Sequence, residues 1–199
     1  MIDKTAVIEI DVKLGSDVSI GKYSIIKSGT TLGNGVSIGS FNIIGSNPET
    51  LKSTKKSGLI IKDGTQITDY ISINLGTERD TIIGQNCFIM NHSYIAHDTN
   101  IGDRVLITSS VVIGGYVKVG DEAYIGMNSS IHQNSSIGKV VCLGANSFAK
   151  GNLVDGLVYT GIPAKPLKIN KLGINSSKLE PNEIEKIISR ANNLIQKLS

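Results

Sequence analysis

Three histidines occur in the chain, and two stand where proton transfer is chemically natural. His97 is followed by Asp98. A carboxylate beside an imidazole can hold the ring and fix its tautomer, leaving the other ring nitrogen to take a proton from an attacking amine or hydroxyl. Gly114-Gly115-Tyr116 and His132-Gln133-Asn134 follow at spacings of eighteen residues. If eighteen residues make one structural turn, His97, Gly115 and Gln133 form one column. Ala96, Gly114 and His132 flank it on one side, and Asp98, Tyr116 and Asn134 on the other. Turns spaced by about 4.8 Å put His97 and His132 roughly 10 Å apart along one edge. The glycine pair between them opens a notch in the wall. This suits a general base acting on a thioester. A polar corner residue facing water would be spelled the same way.

His92 and His97, five apart, raise zinc as a second chemistry. A zinc site needs three histidines, or two and a carboxylate, from converging segments. The third histidine, His132, comes later in the chain and none precedes His92, so no metal is expected.

The elements that must position these residues are written in the sequence as a repeat. Ile8, Leu14, Ile20, Ile26, Leu32, Ile38 and Ile44 recur at intervals of six; the frame resumes at Ile61, Ile67 and Ile73, and again from Ile83 to Ala149. Three six-residue rungs make one triangular coil, with the aliphatic residue inward and stacked into an apolar column. The glycine that often follows it, as in Ile20-Gly21 and Ile101-Gly102, is expected to supply positive φ at the corner. Small residues two places before it, such as Val18, Ser24, Thr30 and Val36, fit the tight interior. The 22 rungs imply about seven coils of an all-β parallel β-helix over residues 1–160, since such coils bury their core only by stacking. Two frame breaks, near 46–58 and 76–81, read as loops, which are favoured places for function.

After Ala149 the repeat fades. Gly161-Ile162-Pro163-Ala164-Lys165-Pro166 reads as an irregular connector within 161–199. A helix follows, with Pro181 in its first turn, Glu183 and Glu185 at the positive end of its dipole, and an apolar stripe of Ile184, Ile187, Ile188, Ala191, Leu194, Ile195 and Leu198. The 22 glycines and the absence of Trp fit thin, turn-rich layers rather than a bulky core. Of the net charge of +3, the segment from Lys165 onward carries seven Lys/Arg against three Glu, a solvated helix face or a meeting place for a phosphorylated small molecule. No nucleic-acid footprint is visible. Cys87 and Cys142 lie far apart among aliphatic residues and read as buried free thiols. No signal peptide and no bilayer-spanning stretch is expected, so the expected residence is cytoplasmic.

The run Ile89-Met90-Asn91-His92-Ser93-Tyr94-Ile95-Ala96-His97-Asp98, with Gly114-Gly115-Tyr116 and Ile131-His132-Gln133, resembles the UDP-N-acetylglucosamine O-acyltransferases of lipid A biosynthesis and related N-acyltransferases of nucleotide-linked amino sugars, all within the hexapeptide-repeat acyltransferases. The resemblance implies a left-handed helix and a homotrimer with sites between subunits. It makes His97 the catalytic base, Asp98 its supporting acid and the Gly115 amide an oxyanion donor. It assigns Lys52, Asn74, Tyr94, Tyr116, His132 and Gln133 to the substrate, and Ala145, Lys165 and Asn170 to the acyl donor. Tyr94 and Tyr116 replace family histidines, Thr50 replaces an Asp, and Ser176-Ser177 replaces an arginine pair. Gly161-Ile162-Pro163-Ala164-Lys165 is similar to a segment of acetyl-CoA-dependent sugar acetyltransferases.

These departures point to a shorter donor and a different sugar. The leading expectation is N-acetylation of a dTDP- or UDP-linked deoxyamino sugar by acetyl-CoA, for surface polysaccharide. The first alternative is acylation of a UDP-sugar from an acyl-carrier protein, as in lipid A biosynthesis. Others are a metal-dependent hydratase of the γ-carbonic-anhydrase type and a β-helix with only a structural or binding role.

Overall fold

The computed structural model describes residues 1–50 and 57–198. The six-residue period produces a parallel β-helix directly. Each aliphatic residue closes a short strand, as in Tyr94–Ile95, Asn100–Ile101 and Leu106–Ile107, and points into a continuous apolar core. In the unbroken run from Ile83 to Ala149 each strand lies beside the one eighteen residues on: Ile95 pairs with Ile113, Ile101 with Val119 and Ile107 with Ile125. Full burial of an Ile side chain contributes about 1.5–3 kcal/mol, so the stacked column is the main source of stability.

Three sheets form the faces of the prism. The first runs from Val7–Ile8 to Phe148–Ala149, the second from Lys13–Leu14 to Asn152–Leu153, and the third from Ser19–Ile20 to Leu157–Gly161. The described strands make about eight coils, one more than the period suggests. The frame is lost after Ala149 because the corner there is two residues short: Leu153 stacks on Ile137, sixteen residues away rather than eighteen. Leu153, Leu157 and Tyr159 then continue the core.

The corner glycines have another role than expected. Positive φ falls on the third residue after the aliphatic one, as at Tyr23, His92, Asp98 and Tyr116, and most of these are not glycine. The glycine directly after the aliphatic residue answers a space constraint. A Cβ on Gly21 would lie 2.6 Å from the Gly39 carbonyl carbon of the next coil.

The segment expected as an irregular connector is instead a strand. Ala164–Ile169 turns back antiparallel on Leu157–Gly161 and widens the third sheet. A short helix, α1 (Lys171–Ser176), follows, and then α2 (Pro181–Leu198). Ile187 and Ala191 are buried, and Leu194 and Ile195 pack on the core, so this part of the stripe packs on its own prism. Lys139 links Asp121 at 2.8 Å and Glu183 at 2.6 Å, and Arg190 meets Asp155 at 2.8 Å. These pairs pin α2 to the coils.

Candidate active site

The corner between the first and second sheets carries His97 and Asp98, held between the strands Tyr94–Ile95 and Asn100–Ile101. Asp98 occupies the left-handed position, φ 59°, and its carboxylate is fully buried. The second frame break, 76–80, closes over it. The Thr77 hydroxyl donates to Oδ2 at 2.6 Å, the Glu78 and Arg79 amides donate to Oδ1 at 2.9 Å each, and the Thr77 amide donates at 3.1 Å. The Arg79 Nε also donates to the Asp98 carbonyl at 3.0 Å. Burial alone would raise the carboxyl's pKa; the hydrogen bonds from Thr77, Arg79, His97 and Glu78 outweigh it and hold the group down at about 2.

An ionised Asp98 sets the state of His97. The Nδ1 atom lies 2.7 Å from Oδ2, and a bare carboxylate can only accept there, so Nδ1 carries the hydrogen and Nε2 is left as a base. The ring rests on the next coil. A Cβ on Gly115 would come within 2.9 Å of Cε1 and 3.1 Å of Nε2, so glycine is what lets the imidazole lie there. The Gly114 amide is spent on the Ile131 carbonyl and the Tyr116 amide on the His97 carbonyl. The Gly115 amide, in the coil that the ring rests on, has no acceptor among the described residues. Tyr116 meets the imidazole edge-on at 5.3 Å, and the Arg79 guanidinium lies 5.5 Å from the Tyr116 ring.

Asn74 and Tyr94 come together just below. Tyr94 lies opposite Ser72, and Asn74 stands one coil below the residue next to His97. The Asn74 Nδ2 donates to the Tyr94 hydroxyl at 2.9 Å, and that hydroxyl donates to Glu49 Oε2 at 3.3 Å. Burial, then the nearby Glu49 charge, raise the Tyr94 phenol to about 12. Asn74 is completely buried, and its Oδ1 has no partner among the described residues. Such an orphan costs about 1–3 kcal/mol.

The other assigned residues are more scattered. His132 and Gln133 turn the same edge one coil above Gly115, with the His132 Nδ1 2.9 Å from the Gln133 carbonyl and the ring edge-on to Phe148 at 6.1 Å. Lys52 lies outside the described residues. Ala145 is exposed on the third-to-first corner, and Lys165 is exposed in the hairpin strand opposite Thr160. Asn170 is the N-cap of α1: its Oδ1 accepts from Gly173 and its Nδ2 donates to Val140. Within one protomer these three donor residues do not reach the His97 corner. A cavity of about 790 Å³ lies instead under α1 on the third sheet, lined by Leu106, Tyr124, Cys142, Asn170 and Lys178. A smaller one, about 550 Å³, lies below Leu75 on His97's own edge, between Asn47, Lys27 and Glu9.

Sequence reasoning missed Thr77, Arg79 and Glu49. The first two sit in a loop it marked, but no spacing said that the loop would grip Asp98. Among the described residues no three His, Cys, Asp or Glu side chains converge on a metal position. Both cysteines are free, and burial raises both thiols, Cys87 to about 11.

Comparison with known proteins gives a consistent picture. The family described as bacterial transferase hexapeptide (six repeats) matches residues 2–47 and 80–115, and the hexapeptide repeat of succinyl-transferase matches residues 98–133. The acyl-[acyl-carrier-protein]–UDP-N-acetylglucosamine O-acyltransferase of Campylobacter concisus is 29% identical over 113 residues, 54% of this chain and 43% of that protein. Its counterpart from Campylobacter lari is 31% identical over 53% of this chain and 42% of that protein. The match thus spans less than half the length of these curated relatives. Among solved structures, the UDP-N-acetylglucosamine acyltransferase of Campylobacter jejuni superposes with TM-score 0.80 at 25% identity, covering 94% of this chain and 81% of that one. LpxA from Acinetobacter baumannii gives TM-score 0.78 at 27% identity, covering 92% and 80%.

Proposed function

Because the chain belongs to the hexapeptide-repeat acyltransferase superfamily, we propose that it moves an acyl group from a thioester to a nucleotide-linked sugar, with His97 as general base. The observation that carries this reading is the buried, ionised Asp98 gripping Nδ1 of His97, with the ring on Gly115. His97 Nε2 takes the proton of the acceptor as it attacks the thioester carbonyl. The Gly115 amide stabilises the oxyanion, and the tetrahedral intermediate collapses by losing the thiolate, which His97 then protonates. Asp98 stays ionised throughout and stabilises the imidazolium.

For the donor we favour an acyl-carrier-protein thioester over acetyl-CoA, because the curated relatives carry that donor in their names. The same names support a UDP-linked sugar as acceptor. The working unit would be a homotrimer. Ala145, Lys165 and Asn170 stand on other faces than His97, and a neighbouring copy could bring equivalents of them to it. An exposed apolar stripe at Tyr23, Phe41 and Tyr70, with Ile43 and Val112 on the first sheet, supports self-association. No described helix is long and apolar enough to cross a membrane. Nucleotide sugars and carrier proteins are cytoplasmic substrates, which supports work in that compartment.

Purified protein, incubated with acyl-carrier-protein or acyl-CoA thioesters and a panel of UDP- and dTDP-linked sugars, should release free carrier thiol and give an acylated sugar by mass spectrometry. Absence of thioester cleavage with every pair overturns the reading.

A further inference from the structure

The donors that meet the Asp98 carboxylate divide between its two oxygens. Oδ1 takes the Glu78 and Arg79 amides. These are main-chain groups, present whatever the side chains are. Oδ2 takes the Thr77 hydroxyl at 2.6 Å and faces Nδ1 of His97 at 2.7 Å. The Thr77 amide straddles both oxygens at 3.2 and 3.1 Å. Among the described residues, the Thr77 hydroxyl is therefore the one side-chain group of the 76–80 loop on this carboxylate. It sits on the oxygen that His97 uses.

The direction of that hydroxyl follows from its surroundings. A hydroxyl has one hydrogen and an ionised carboxylate only accepts, so the Thr77 hydrogen goes to Asp98. The Tyr116 hydroxyl, 3.3 Å from Thr77 Oγ1, is then the donor to it. A chain of donors thus runs from Tyr116 to Thr77 to Asp98, and His97 meets the same carboxylate from the other side. The loop that carries Thr77 is itself fixed. A Cβ on Gly76 would collide with the Arg79 carbonyl, and Asp80 accepts from the Gly58 amide at 2.6 Å and from the Ser57 hydroxyl.

We infer that Thr77 is a positioning residue for His97: its hydroxyl turns the Asp98 carboxylate so that Oδ2 faces Nδ1. The inference rests on the acyl-transfer reading above for what His97 then does. Without the hydroxyl, the two amides still hold Oδ1. Oδ2 keeps only the imidazole and the shared Thr77 amide, and the carboxylate is free to swing about its Cβ–Cγ bond. The imidazole then loses its fixed orientation and tautomer.

The test uses the full chain with Thr77→Val, which keeps the shape and removes the hydroxyl, and Thr77→Ser, which keeps the hydroxyl. Proton NMR without substrate follows the hydrogen on His97 Nδ1, assigned by its loss in His97→Ala. It should stand far downfield in the wild type, vanish by exchange with water in the Val variant and return in the Ser variant. In acyl transfer from an acyl-carrier-protein thioester to a UDP-linked sugar, Thr77→Val should lower kcat by about 10- to 100-fold. KM should stay within about twofold, and Thr77→Ser should recover most of kcat. A Val variant with the wild-type resonance and kcat overturns the inference. So does a loss that Thr77→Ser fails to restore, because the hydroxyl is then not what matters. If the wild type cleaves no thioester, the acyl-transfer reading fails, while the resonance still decides whether Thr77 aims Asp98.

Discussion

His92 and His97 sit five residues apart in one coil, at successive corners of the prism, and do different things. His92 fills the third place after its aliphatic residue, with φ 63°. Its exposed ring stacks on Tyr70 at 5.0 Å, continuing a ladder through Phe41 and Tyr23 at 5.1 and 5.3 Å. At the next corner Asp98 takes that third place, and His97 stands one place earlier. The repeat is the same at both corners. The 76–80 loop makes the difference, because it departs from the repeat and offers amides and a hydroxyl to whatever lies under it. Asp98 is there to be gripped, and His92 has the Tyr70 ring against it instead. Chemistry arises where an irregular segment meets a regular one.

The comparison predicts its largest effect for the two histidines themselves. His97→Ala should lower kcat/KM for acyl transfer by about 100-fold or more, the usual contribution of a positioned base. His92→Ala should stay within about twofold in the same assay. Equal losses in both variants would remove the distinction between the corners.

Next in size is the grip on Asp98. A carboxyl held near 2 rather than at 3.8 contributes roughly 2 kcal/mol of folding stability. The sign follows from the depressed value: the contribution is complete above about pH 4 and is lost as pH falls towards 2. Asp98→Asn should therefore lower the stability measured by urea unfolding at pH 7, and its deficit against the wild type should shrink between pH 4 and 2. A deficit that does not change across that window would separate stability from the ionised state. The same variant removes the fixed tautomer of His97, so its kcat should fall while KM changes little.

Much of this was legible in the sequence. Ile95, Ile113 and Ile131 announced their column by spacing alone, and His97, Gly115 and Gln133 were placed on one edge by counting eighteen. Three things were not legible, each for a physical reason. Gly21 was read as a conformational need because a sequence shows flexibility but not the 2.6 Å approach of the next coil. Leu153 fell out of frame because a corner can lose two residues while the core stays filled. The grip of Thr77 and Arg79 on Asp98, and the Glu49–Tyr94–Asn74 chain, join residues 19 to 45 positions apart through loops that have no period. Counting finds partners only inside the repeat.

The smallest effect concerns the ladder that His92 terminates. Each stacked pair is worth about 0.5–1.5 kcal/mol beyond the area it buries. Tyr70 stands between Phe41 and His92 and touches both rings, so Tyr70→Ala breaks two contacts at once. It should cost about 1–3 kcal/mol in urea unfolding and leave the kcat of acyl transfer near the wild-type value. Tyr70→Phe keeps both stacks and should restore the stability. If the stripe is also a surface between copies, as proposed above, Tyr70→Ala should in addition weaken the assembly measured by light scattering at low micromolar concentration. A large fall in activity with stability and assembly intact would mean that the third-to-first corner takes part in the chemistry, and the division of labour between the two histidines would have to be redrawn.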